Sequence, residues 1–144
     1  MEFARFNEIV NRVRTENPFL FELGHDAILS EAELSAFERE NKFQLSNKYK
    51  QFLLRYGGGY FGYAYLYSLD RNSDFYLLNY NCAAISEMLY VADNGCGDFY
   101  AQRIVKGQCE EKLLFYEHET GTFSETTFND VLEYLVEIGL KRSV

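Results

Sequence analysis

Few residue patterns in this chain have the types and spacing that chemistry requires. Residues 93–98 read Asp93-Asn94-Gly95-Cys96-Gly97-Asp98, two carboxylates around a turn with a thiol between glycines. Paired carboxylates can hold a divalent cation or move protons. A calcium loop, however, needs about six to eight oxygens, and the D-x-D-x-D-G…E pattern is absent. Cys96 as a nucleophile needs a base and an oxyanion hole, and His118 is the one plausible base. No third residue is evident to orient that histidine, so Cys96 reads as an inert thiol. The whole segment reads as a tight hairpin. Asn94-Gly95 supplies positive-φ backbone, and aspartates bond to nearby N–H groups. Glu117-His118-Glu119 sets an imidazole between two acids, either a pH-sensitive or partner-binding group or simply a strand end entering the turn at 119–121.

Two further patterns carry alternatives. Gly57-Gly58-Gly59 looks superficially like a phosphate loop, but it follows a helical segment instead of preceding one, and no Gly-Lys-Ser/Thr is present. It reads as a helix stop with close backbone packing. The stretch Tyr60-Phe61-Gly62-Tyr63-Ala64-Tyr65-Leu66-Tyr67 places tyrosines at every second position from Tyr63. Its free face is either core, or a partner surface, since tyrosine brings rigid contact area at low entropy cost. Base stacking is opposed by charge: 14 Lys plus Arg against 22 Asp plus Glu leave a net −8, which repels phosphate backbones. That charge suits a basic partner, or solubility alone.

The elements that must position these residues follow from periodicity. Phe3, Phe6, Ile9, Val10 and Val13 make one face of a helix that Asn17-Pro18 ends. Ser30 and Glu33 form a capping-box pattern before a helix carrying Leu34 and Phe37, with Asn41 as its left-handed terminator. Ser46 caps a helix with Tyr49, Phe52, Leu53 and Tyr56 on one face. A strand is predicted over 60–69, a polar turn over 70–74 and a short strand over 75–80, while 81–87 stays open between helix and loop. Strands over 88–92 and 99–105 flank the Asn-Gly turn, and a further strand covers 112–117. Thr127 then caps a helix carrying Phe128, Val131, Leu132, Leu135 and Val136, with Gly139 as terminator.

A chain of 144 residues is expected to form one domain, with enough core to fold without disulfides or metal. No continuous apolar stretch marks a leader or a membrane span, so a cytoplasmic protein is expected. Cys82, Cys96 and Cys109 are odd in number and widely spaced, which predicts reduced thiols. With no C-x-x-C pair and only His25 and His118, structural zinc is not expected.

One order of residues is familiar as a set: Glu31-x-x-Leu34-x-x-Phe37-Glu38, Phe43-x-Leu45, Tyr49-x-x-Phe52-Leu53 and the glycine stop, then Ala92-Asp93-Asn94-Gly95-x-Gly97-Asp98, Tyr116-x-His118 and Phe128-x-x-x-Leu132. It resembles the SUKH superfamily, also called the Smi/Knr family after a yeast regulator of cell-wall synthesis, over about residues 28–138. Members usually carry Leu-Pro before the tyrosine helix; here Leu45-Ser46 stands there, and serine is a competent N-cap.

The resemblance implies an α+β domain with a central, mostly antiparallel sheet flanked by helices. It implies a non-catalytic binding protein, since the family is not tied to one conserved chemistry. Many bacterial members look like immunity proteins that neutralise polymorphic toxins, often nucleases, while eukaryotic members regulate glucan synthesis. The expected partner is therefore a protein, a toxin domain such as a nuclease, with no direct contact to nucleic acid or membrane. No cofactor, metal or catalytic residue is assigned. From charge and turn position, the expected partner-binding residues are Tyr63, Tyr65, Asp70, Asp74, Asp93, Asp98, Glu110, Glu111, Glu117 and Glu119.

Overall fold

The computed structural model describes residues 1–81 and 87–144, so Cys82 and the centre of the stretch left open between helix and loop lie outside the described residues. The architecture is α+β. Helix α1 (Phe3–Glu16) buries Phe6, Val10 and Val13 and stops at Asn17, ahead of a 3₁₀ turn over Pro18–Phe21. Helix α2 (Glu31–Asn41) starts at the predicted capping box: Glu33 N donates to Ser30 Oγ at 3.2 Å, and Ser30 N to Glu33 Oε1 at 3.2 Å. Its left-handed residue is Lys42 (φ 59°), not Asn41. The Asn41 amide instead donates back to the Phe37 carbonyl at 2.8 Å, which keeps Asn41 in the last turn. Helix α3 (Asn47–Tyr56) buries Tyr49, Phe52 and Leu53. Ser46 has N-cap backbone geometry, but its hydroxyl donates to Gln102 Oε1 at 3.0 Å inside the core instead of capping. Gly57, Gly58 and Gly59 all have positive φ, and a Cβ on Gly57 would sit 2.3 Å from the Asp26 carbonyl oxygen, so the helix stop is also a close packing point.

The predicted strand over 60–69 is two short strands. β1 (Gly59–Phe61) and β2 (Ala64–Leu66) form a hairpin that turns at Gly62-Tyr63. The predicted strand over 75–80 is likewise a 3₁₀ turn at Leu77–Asn79; only Tyr76 makes a bridge, to Ser68. A second sheet follows, antiparallel throughout, in the order β3-β4-β5-β6: β3 (Met88–Asp93), β4 (Phe99–Val105), β5 (Gln108–Glu117) and β6 (Thr122–Glu125). β6 has all four residues exposed, which is why no apolar pattern announced it.

Directly paired residues share a sheet face. Leu89, Gln102 and Leu113 are paired across three strands and fully buried, on the face the helices cover. Tyr90, Ala101 and Leu114 lie on the other, where the rings of Tyr90, Phe99, Tyr116 and Phe123 also gather. The final helix α4 (Val131–Tyr134) runs on as a π-helical turn over Leu135–Gly139. Its cap is Asp130, whose carboxylate accepts from Glu133 N at 2.9 Å, not Thr127. The chain before it is still tied to β5, because the Thr126 hydroxyl donates to the Leu113 carbonyl and Leu113 N to the Phe128 carbonyl. Among the described residues, no helix is long and apolar enough to cross a membrane.

Candidate functional site

The site begins where two glycines let backbones touch. Gly62 sits at φ +61°, and a Cβ there would lie 2.1 Å from the Gly139 carbonyl oxygen. That same oxygen accepts a hydrogen bond from Tyr63 N at 2.8 Å. The tip of the β1–β2 hairpin is thereby clamped to the π-helical turn. The clamp holds the Tyr63 ring out, two-thirds exposed, with the Lys141 ammonium 5.7 Å from its centroid. Tyr65 follows on β2, half-buried, with its ring 4.6 Å from Phe75 and 6.2 Å from Tyr60.

Alternation does not continue to Tyr67. That residue is fully buried; its N–H donates to the Val91 carbonyl at 2.8 Å, and its ring stacks 3.9 Å from Tyr80. The tyrosine stretch is therefore neither all core nor all surface. Tyr67 belongs to the core, Tyr63 to the surface and Tyr65 to the boundary.

Asp93, at the end of β3, organises the boundary. Its Oδ1 accepts from the Tyr65 hydroxyl and from Gly95 N, the latter at 2.8 Å, and its Oδ2 accepts from the Tyr67 hydroxyl. All three donors are neutral, and among the described residues no cation pairs with this carboxylate. Burial, and then the bond to Asp93, push both phenols above the ordinary tyrosine value, so they remain donors. Tyr63, Tyr65, Asp93, Asn94, Tyr100 and Tyr134 line a small cleft of about 130 Å³.

Beside it, the 93–98 segment is the expected hairpin turn. Asn94 Oδ1 accepts from Cys96 N at 2.8 Å and Asp98 N at 3.3 Å, and its Nδ2 donates to Asp98 Oδ2 at 3.0 Å. Asp98 Oδ1 meets the His118 backbone N–H at 3.0 Å and its Nδ1 at 2.6 Å. The backbone bond first, then the ring and Asn94, hold Asp98 down to about 2. The bond to Asp98, helped by the charges of Asp98, Glu119 and Glu117, raises His118 against the opposing effect of desolvation.

The consequences for pH are opposite in sign. The raised imidazole contributes in full below about 6.5 and loses its contribution as pH climbs through the folded value. The lowered carboxylate contributes in full above about 3.8 and loses its contribution as pH falls through about 2. The turn is thus tied most firmly between about pH 3.8 and 6.5. An NMR titration of His118 should show its midpoint fall towards 6.5 in Asp98→Asn. An unchanged midpoint would mean that the ring is not bonded to Asp98 in solution.

The structure divides the residues expected at a partner face. Tyr63, Tyr65 and Asp93 meet in the cleft, and Asp98 joins them through Asn94. Glu117 and Glu119 flank His118 at the same end of the sheet and are exposed. Asp74 lies farther along, beyond Phe75, lining a groove with Tyr60. Asp70 uses both oxygens internally, accepting from Ala27 N and Asn72 N at 3.0 Å each. Glu110 and Glu111 stand at the opposite end of β5, where Glu111 accepts from Lys48 N at 3.1 Å and complements the positive end of α3. Sequence reasoning did not find Tyr100, Tyr134 or Lys141. Tyr100 and Tyr134 carry only strand and helix patterning, and no local signal brings their rings to 4.7 Å.

Cys96 is exposed, and its backbone N–H is spent on Asn94. Among the described residues, no three His, Cys, Asp or Glu side chains converge as a metal site. The SUKH_6 family model, described as SMI1-KNR4 cell-wall, matches residues 31–135 of the chain. No curated protein and no solved structure matches it.

Proposed function

Because the chain belongs to the SMI1-KNR4 family of the SUKH superfamily, we propose that it is a non-catalytic binding protein of the immunity type, which neutralises a toxin domain by stoichiometric association. The observation that carries this reading is the end of the molecule where Tyr63 and Tyr65 stand beside Asp93, a carboxylate with no cation paired to it among the described residues. Glu117 and Glu119 extend the negative field at the same end. A net charge of −8 speeds encounter with a basic cleft, and ring burial slows release. If the toxin is a nuclease, these carboxylates stand where substrate phosphates bind. The reading places the protein in the cytoplasm of a bacterial cell, with no cofactor.

The test is affinity capture from lysate of the source organism, elution by salt, and identification by mass spectrometry. The expected result is a toxin-like protein held near 1:1. Expressed alone it should arrest growth, and co-expression with this chain should restore it. Restoration that survives dilution of this chain far below the toxin would overturn stoichiometric action. The family description names the cell wall, which favours a second reading: a regulatory adaptor of envelope synthesis. An envelope-synthesis enzyme in the eluate, with no growth arrest to relieve, would select the adaptor.

A further inference from the structure

We propose that the cleft between the β1–β2 hairpin, the 94–98 turn and α4 is a receptor for one arginine side chain of the protein partner. The inference deepens the immunity reading and rests on it for the partner, though not for the pocket. Asp93 is a half-buried carboxylate, and the described residues give it hydrogen bonds but no counter-ion. Charges withdrawn from water are normally paired, so a structure that holds this one ready without a cation leaves the pairing to another molecule. A carboxylate offers about four lone-pair sites. The two phenols and Gly95 N take three, leaving one on Oδ2.

The walls suit a guanidinium. Tyr63, Tyr65, Tyr100 and Tyr134 line the same cleft as the carboxylate, with the Tyr63 ring the most exposed, and aromatic faces attract cations, arginine more often than lysine. The cleft, of about 130 Å³, leaves room for a planar group of four heavy atoms. Independent evidence that the rim takes a cation is internal: the chain's own Lys141 ammonium already lies over the Tyr63 ring at 5.7 Å. It is exposed, lies two residues past the π-helical turn, and reaches the rim without pairing with Asp93. A partner's arginine would displace it and go deeper.

The probe is N-acetyl-arginine methylamide, titrated at low salt into the ¹⁵N-labelled full chain, with the citrulline and lysine analogues alongside. Saturable shifts are expected at the amides of Tyr65, Asn94 and Gly95, with a dissociation constant in the millimolar range, about that of a weak single-site contact. Citrulline should give none, and lysine weaker ones. Asp93→Asn should weaken binding at least about tenfold, as expected for loss of a charge-assisted contact. Lys141→Ala should tighten binding by about two- to threefold by removing the internal competitor.

Should Asp93→Asn fail to fold, Tyr63→Ala, at an exposed site, should still weaken binding by about threefold. Equal shifts with citrulline, undiminished binding in the variants, or no saturation with arginine overturns the proposal. Arginine binding in a chain that neutralises no toxin would keep the pocket and sink the immunity reading. Neutralisation without arginine binding would do the reverse.

Discussion

Asp93→Ala is expected to lower the thermal midpoint of this protein by about 10 °C. The side chain accepts from Tyr65, Tyr67 and Gly95, linking β2, β3 and the start of the 94–98 turn. Tyr67 is fully buried as a residue and its ring is fixed by stacking on Tyr80, so its hydroxyl cannot swing to a new acceptor. A buried donor left without a partner costs about 1–3 kcal/mol, and a half-exposed one less because water replaces the lost acceptor. The sum is about 3 kcal/mol, and a chain of this size moves by about 3 °C per kcal/mol.

Asp93→Asn should lose about half as much. Its amide oxygen still accepts from one phenol, and its NH₂ can donate to the other hydroxyl oxygen. Differential scanning calorimetry of the two variants beside Tyr65→Phe measures the contribution of each link. A fall of less than about 3 °C in Asp93→Ala would show that the phenols do not depend on this carboxylate.

Gly62→Ala is expected to cost about 4 kcal/mol and to loosen the hairpin tip. An alanine at φ +61° pays about 1–2 kcal/mol for the left-handed backbone. Its Cβ would also stand 2.1 Å from the Gly139 carbonyl oxygen, a backbone atom that cannot rotate away. Relief requires the tip to lift, which breaks the Tyr63 N–H bond to that oxygen and adds about 1 kcal/mol to the strain of repacking. Gly24→Ala separates the two effects: its φ is +76°, but nothing lies within 4 Å of the added Cβ. It should lose about 1–2 kcal/mol by chemical denaturation, the backbone cost alone. Equal losses in the two variants would mean that the clamp between hairpin and π-helical turn is not tight.

Most elements announce themselves locally. Phe6, Val10 and Val13 repeat at helical spacing and face the core, and the Ser30–Glu33 capping box needs only four consecutive residues. The Asn94 turn likewise closes on its own side chains, so Asp93-Asn94-Gly95 predicts a hairpin without knowledge of the rest of the fold. The SUKH resemblance drew on the second and third of these segments but not on the first helix, and the family match over residues 31–135 agrees with it.

The misreadings share a cause. Tyr60–Leu69 has the composition of one strand, yet it folds back at Gly62 because a carbonyl of the C-terminal turn receives the Tyr63 N–H. The last helix is capped by Asp130 instead of Thr127 because Thr126 and Phe128 are held by β5.

The candidate site divides along the same line. Residue types alone identified Tyr63, Tyr65 and Asp93 as worth attention, since side-chain chemistry and turn propensity belong to the residue and its neighbours. That they share one cleft with Tyr100 and Tyr134, while Glu110 and Glu111 stand at the far end of β5, was decided by strand register and by the Gly62–Gly139 clamp. Periodicity reports which face of an element is apolar, but not which distant backbone atom will meet it; contacts between residues far apart in the chain become definite only when the core packs.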